Sequence, residues 1–314
     1  MKMFAAFMFL LVCNVAMAQV LPAQFVHDRI FIVVPAPDGT EVRFYTDTGG
    51  GWNAISETVV ERLKLPRTGS VESETGSNAV IAFPEFLKRA GVPAPVPDPW
   101  LRGQLVVTSA DDILGDDGFL GSRWFAGRVW SLDYVNRKMA ITSKWQAAPD
   151  QDEVTLGFAT DANGTRLMNF PRIAIVVDDQ PIDVLFDTGA TAKLSAAAAA
   201  QVGLQPETHV GASYIVKSIF DRWRKDHPEW KVIEGGDTVL RNPVAMIEVP
   251  RVTIGKTTIG PVWFAERPDA NFHGMMSSMM DKRVEGAIGG SAFKYLHLVI
   301  DYPAARAYVM RGTR

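Results

Sequence analysis

The feature that most constrains this chain is a unit that occurs twice. Residues 29–34, "RIFIVV", are followed by the turn-forming "PAPDGT" and then "EVRFYTDTGG". Residues 172–177, "RIAIVV", are followed by "DDQ" and then "PIDVLFDTGA". Each copy reads as a β-branched strand, a Gly/Asp/Pro turn and a second strand running into Asp-Thr-Gly, at Asp47 and at Asp187. Downstream, Ser56 is placed to cap a helix over "ETVVERLKL", and Ser195 one over "AAAAAQVGL". The halves close on matched segments, 118–141 and 286–309, each with two apolar residues and a glycine, an aromatic-bearing turn, and a strand with Asp-Tyr. The pattern predicts a mostly β chain of two homologous lobes, residues 19–148 and 149–314, with a short helix in each. The joint is the Pro-, Gln- and acid-rich stretch 146–153. The proline-rich segment 84–100 and the charged segment 216–231 read as lobe-specific insertions, each a loop with a short helix.

The first eighteen residues stand apart from the repeat. Lys2 precedes the apolar run "FAAFMFLLVC", and "AMA" at 16–18 places small residues where a signal peptidase cuts. The run is too short to span a bilayer. Residues 1–18 are therefore expected to be a signal peptide, which implies an exported protein, periplasmic or secreted, without a membrane anchor. Cys13, the single cysteine, lies in that segment, so the mature chain is expected to lack a disulfide, a thiol nucleophile and a thiolate metal site. A net charge of −3 gives no reason to expect nucleic-acid binding. The five histidines show no metal-ligand spacing, and no metal or cofactor is expected.

A single Asp-Thr-Gly is an ordinary strand-end turn, with the Asp side chain bonding its own backbone. Two copies in matching contexts are different, because a duplicated unit can bring its loops together about a pseudo-twofold axis. Two carboxyls within hydrogen-bonding reach share one proton rather than both ionise. The ionised member can take a proton from a water held between them while the protonated one polarises a carbonyl. In that arrangement Asp47 and Asp187 are the catalytic pair. Thr48 and Thr188 would lock the loops across the axis, and Gly49 and Gly189 would let the backbone pass close behind the carboxylates. The glycines at 49–51 do not form a phosphate cradle, which needs a following Lys-Ser/Thr where this chain has "WNAIS".

These motifs resemble the aspartic peptidases in the two-lobed form of pepsin, with local sequences nearer the retropepsin type: "DTGGGWNAISETVVERLKL" and "DTGATAKLSAAAAAQVGL". "FLG" at 119–121 and "AIG" at 287–289 match the family's apolar pair before a glycine, here Gly121 and Gly289, which pack behind the catalytic loops. The resemblance implies an all-β, bilobal, pepsin-like acid-protease fold with two barrel-like lobes and a cleft between them. A peptide or unfolded protein substrate would lie extended there, held like an added strand. With both loops in one chain, a monomer suffices. The implied activity is that of an aspartic endopeptidase.

The chain departs from that family in three places. Gly50 and Ala190 stand where pepsin-like enzymes place a hydroxyl that donates to the catalytic carboxylate. Losing those donors raises the pair's pKa values, so the pH optimum is expected to be milder than a gastric enzyme's. Residues 66–110 hold no tyrosine to serve on a flap over the cleft, leaving Phe83, Phe86 or Trp100 to cover the site. Only about ten residues separate Gln19 from the strand at 29, too few for an inhibitory pro-segment. The alternative reading is a pepsin-like protein that binds peptide or another ligand without cutting it. A glycosidase would need its two carboxylates well apart across a sugar ring. Trp52 beside the first loop and the methionine-rich "HGMMSSMMDKR" at 273–283, pliable enough to touch substrate, are the other residues of interest.

Overall fold

The computed structural model describes residues 18–73, 76–148 and 151–312. The expected signal peptide lies, except for Ala18, outside the described residues, as do Cys13 and residues 149–150 at the expected boundary between the halves. The chain is all-β in class, with its described strands in three large sheets and a two-stranded ribbon.

The repeat is carried through in the sheets. From its edge, one sheet orders the strands Arg67–Ser73, Gly76–Ile81, Leu105–Thr108, Asn53–Ser56, Gly118–Leu120, Glu41–Thr46 and Arg29–Pro35. The other orders Val232–Asp237, Val244–Val249, Val262–Arg267, Ser213–Val216, Gly286–Ile288, Gln180–Phe186 and Arg172–Val177. Strand senses agree at every step, including the parallel pairing of each aspartate-bearing strand with the segment that ends in Gly121 or Gly289. The central strands are rich in β-branched and aromatic residues and are buried on both faces, as in Arg29–Pro35 and Asn53–Ser56. Only the far edges differ, Ala23–Val26 in the first sheet against Val252–Ile254 and Thr257–Ile259 in the second. Both sheets are open at two edges, so the barrel-like closure expected from the sequence is absent from the order of the described strands.

The third sheet joins the halves. Val129–Asp133 pairs antiparallel with Leu296–Asp301, Ser131 opposite Val299. Lys138–Thr142 and Gln19–Val20 flank one side, and Arg306–Arg311 and Asp152–Thr155 the other. One contiguous apolar core runs from Leu21 to Val309 and draws on both repeated sheets.

Several expectations need correction. Both serine caps form: Ser56 accepts from the Val59 N–H, and Ser195 from the Ala198 N–H. The helices they start, Glu57–Arg62 and Ala196–Val202, are nevertheless not counterparts. By sheet position the partner of the strand–helix unit 53–62 is Ser213–Val216 with the helix Lys217–Asp226. The segment read as an insertion at 216–231 is therefore part of the repeat. The added piece is the ribbon Thr191–Lys193/His209–Gly211 with the Ala196–Val202 helix inside it. Among the described residues each half holds three α-helices, one more than the capped helix and the insertion helix expected for it, and 84–100 contributes Glu85–Arg89 as expected. The first described strand is Gln19–Val20 rather than one at residue 29, because Gln19–Val20 and Ala23–Val26 find partners in Lys138–Thr142 and Arg29–Pro35. The methionine-rich segment folds into a π-helical turn, Asn271–Met276, followed by a 3-10 turn, with Met276, Met279 and Met280 against the core.

Candidate active site

Each aspartate sits where a strand leaves its sheet. Asp47 follows Glu41–Thr46, and its N–H donates to Leu120 O at 2.9 Å; Asp187 follows Gln180–Phe186, and its N–H donates to Ile288 O at 2.9 Å. A Cβ on Gly121 would overlap Trp52 O, and one on Gly289 would stand 2.5 Å from Asp187 O. These glycines lie directly behind the two loops because no side chain fits there.

Thr48 and Thr188 are fully buried and bond reciprocally. The Thr48 N–H donates to Thr188 Oγ1 at 3.1 Å, and the Thr188 N–H to Thr48 Oγ1 at 3.0 Å. Each hydroxyl then reaches across to the other strand, Thr48 Oγ1 to Phe186 O at 2.7 Å and Thr188 Oγ1 to Thr46 O at 3.4 Å. This lattice brings the two carboxyls together. Asp47 Oδ1 accepts from the Gly49 N–H at 2.6 Å and Asp187 Oδ1 from the Gly189 N–H at 2.8 Å. A Cβ on Gly49 would stand 2.7 Å from Asp187 Cγ, and one on Gly189 would overlap the Asp47 carboxyl. The loops thus interlock, each glycine facing the other loop's aspartate.

Burial pushes both carboxyls above the usual carboxylate range. For Asp187 the neighbouring Asp47 charge adds to the effect, and its pKa is raised well above normal. For Asp47 the shift is opposed by the hydrogen bond with Asp187, by the Gly49 and Gly50 N–H groups and by Arg29. The pair therefore holds a proton that an isolated aspartate would have lost, and Arg29 favours the ionised form on Asp47.

Further residues hold the loops that sequence reasoning did not single out. Tyr45 Oη donates to Gly189 O at 2.6 Å and lies 2.8 Å from Thr191 Oγ1, so the first half grips the second loop. Tyr214 Oη accepts from the Thr191 N–H and donates to Thr191 O, both at 2.6 Å. The Arg29 guanidinium packs on the Tyr45 ring, 4.1 Å from its centroid. Alternation with Val42 and Phe44 puts Tyr45 on the opposite face of its strand, yet it is buried there, and nothing in the sequence signalled that its hydroxyl crosses to the second loop. The Phe119 ring occupies the space a side chain at Gly50 would need, and that Cβ would lie 3.1 Å from Asp47 Oδ2.

Beside the first loop, a cavity of about 140 Å³ is lined by Gly51, Trp52, Ala54, Ile113 and Phe119, with Asp112 at its wall. The Trp52 and Trp100 rings meet at a tilt of 49°, centroids 6.1 Å apart, and the Trp100 Nε1–H donates to Glu72 O at 3.3 Å. Of the three aromatics considered as a cover, Phe83 is in the core and Phe86 packs against it. Trp100 alone stands near the first loop, bracing the hairpin of Arg67–Ser73 and Gly76–Ile81. Among the described residues, no group of three or more His, Cys, Asp or Glu could hold a metal ion, and no helix is long and apolar enough to cross a membrane.

No family model matches the sequence, and no curated protein matches it. Among solved structures, conglutin gamma, a basic 7S globulin from lupine seeds, superposes with a TM-score of 0.48 at 11% identity, covering 95% of this chain and 96% of that chain.

Proposed function

We propose that this chain is an aspartic endopeptidase of the two-lobed, pepsin-like kind, acting as a monomer on peptides or unfolded proteins outside the cytoplasm. The observation that supports this reading is the reciprocal Thr48–Thr188 lattice, which sets two Asp-Thr-Gly loops face to face. A water between the carboxyls would lose a proton to ionised Asp47 while it attacks the scissile carbonyl carbon. Protonated Asp187 would donate to the carbonyl oxygen, giving a neutral tetrahedral diol. Collapse of that intermediate passes a proton to the leaving nitrogen and restores the shared-proton pair. The apolar walls of the cavity beside Trp52 and Phe119 suit a hydrophobic substrate side chain. The export signal read in residues 1–18 supports a periplasmic or secreted location.

The test is incubation with a reduced, alkylated protein over pH 3 to 8, with and without pepstatin, whose hydroxyl mimics the diol. Cleavage that pepstatin suppresses is expected. Tight pepstatin binding without cleavage at any pH would favour the ligand-binding alternative, and neither binding nor cleavage by folded protein would overturn the proposal.

A further inference from the structure

A second cavity, of about 340 Å³, lies apart from the aspartates, and its lining includes neither Asp-Thr-Gly loop. It exists because of the added segment in the second half. The Ala196–Val202 helix is held at its ends, by the Ser195 cap and by Gly203 in the left-handed conformation, and alanine gives it high intrinsic stability. Its buried face offers only Ala198 and Ala199, in a small cluster separate from the main core. A helix that stable without bulk can leave space beneath it unfilled. The hollow is walled by Leu194, Ala198, Leu204, Ile233, Met246 and Trp263.

The rest of the lining includes a charged cluster, His27, Asp28, Arg137 and Lys294, beside the polar Gln201 and Ser291. The His27–Asp28 turn, with φ of 49° and 64°, is pinned into the second half by the Gly211 N–H, which donates to His27 O at 2.7 Å. Arg137 and Lys294 join it from two other segments. Neither cation is within ion-pair distance of a carboxylate among the described residues; the Lys294 ammonium lies 5.1 Å from the Tyr295 ring centroid. The one carboxyl in the lining, Asp28, is pushed up by burial although Lys294, His27 and Arg137 pull it down. Two cations against one carboxyl, Asp28, thus border a largely apolar hollow of the size that small molecules occupy.

We propose that this cavity binds a small amphipathic carboxylate, its apolar body under the Ala196–Val202 helix and its head group between Arg137 and Lys294. The chemistry fits a medium-chain fatty acid or the free C-terminus of a short apolar peptide. It does not depend on the peptidase reading.

Calorimetric titrations with decanoate below its micelle concentration, N-acetyl-leucyl-leucine and decylammonium test it. One-site binding of either carboxylate is expected, and which of them binds tells the lipid source from the peptide source. The double variant Arg137→Ala/Lys294→Ala should lose about tenfold or more in affinity. Val202→Trp, at the exposed rim of the cavity, should block binding while leaving the fold intact. Asp187→Asn should bind as wild type does, which separates this site from the aspartate pair. Failure of both carboxylates to bind, equal binding of decylammonium, or affinity unmoved by both the double variant and Val202→Trp would overturn the proposal.

Discussion

Replacing Thr48 or Thr188 by valine keeps the side-chain shape and removes only the hydroxyl, so the lattice can be weighed bond by bond. Thr48→Val orphans the Thr188 N–H and deletes a 2.7 Å bond to Phe186 O. Thr188→Val orphans the Thr48 N–H but deletes only a 3.4 Å contact to Thr46 O, long for a hydroxyl donor. An orphaned buried N–H costs about 1–3 kcal/mol and a lost good hydrogen bond about 1 kcal/mol. Thr48→Val should therefore destabilise by about 2–4 kcal/mol, and Thr188→Val by roughly 1 kcal/mol less. Thr→Ser at either site keeps the hydroxyl and should cost less than its valine counterpart. Guanidinium unfolding midpoints at unchanged m-value measure these differences. Equal costs, or the reverse order, would refute the assignment of the stronger bonds to Thr48. Costs of both below about 0.5 kcal/mol would refute the lattice itself.

Three further outcomes follow from the same geometry. Asp187 keeps its proton in the fold after an unfolded aspartate has lost it, so its contribution to stability is full below the unfolded pKa and fades as pH rises through the folded one. Relative to Asp187→Asn, wild type should lose stability as pH rises above about 4, where an unfolded aspartate ionises, measured by denaturant titration at each pH; a pH-independent difference would contradict the raised pKa. Gly189→Ala puts a methyl into the Asp47 carboxyl and should reduce cleavage more than Gly49→Ala, whose methyl meets Asp187 less closely; the ratio of their kcat/KM values checks this. Gly50→Ser should clash with the Phe119 ring and destabilise the chain. With Phe119→Ala the new hydroxyl can donate to Asp47 and should move the acidic limb of the pH–rate profile downward. An unmoved limb in the well-folded double variant would contradict that.

Much of this was legible because duplication leaves a strong signal. Paired strands before each Asp-Thr-Gly, both serine caps and the closing apolar-Gly segments could be read from local pattern alone. What was not legible depends on pairing across long separations. Gln19–Val20 has little strand character of its own and is ordered by residues 140 and 141. Which helix is the counterpart of Glu57–Arg62 is decided by sheet order, and local capping chemistry pointed to the wrong one. The candidate site shows the same division. The motifs picked out Asp47, Thr48, Gly49, Asp187, Thr188, Gly189, Gly121 and Gly289, and the structure brings all eight together. Tyr45 and Tyr214 bond to the second loop from elsewhere in the chain, and no motif marks them; Phe119 lies in the Phe-Leu-Gly motif, but nothing in that motif signalled that its ring fills the space beside Gly50.

The central claim is that Asp47 and Asp187 form one catalytic unit in a single chain. Its most direct test is kcat/KM for an unfolded polypeptide against pH, for wild type beside Asp47→Asn and Asp187→Asn. The account predicts a bell-shaped profile centred at weakly acidic to neutral pH for wild type, and loss of cleavage in both variants, each still folded. Wild-type rates in either variant, or an optimum below about pH 3, would contradict it.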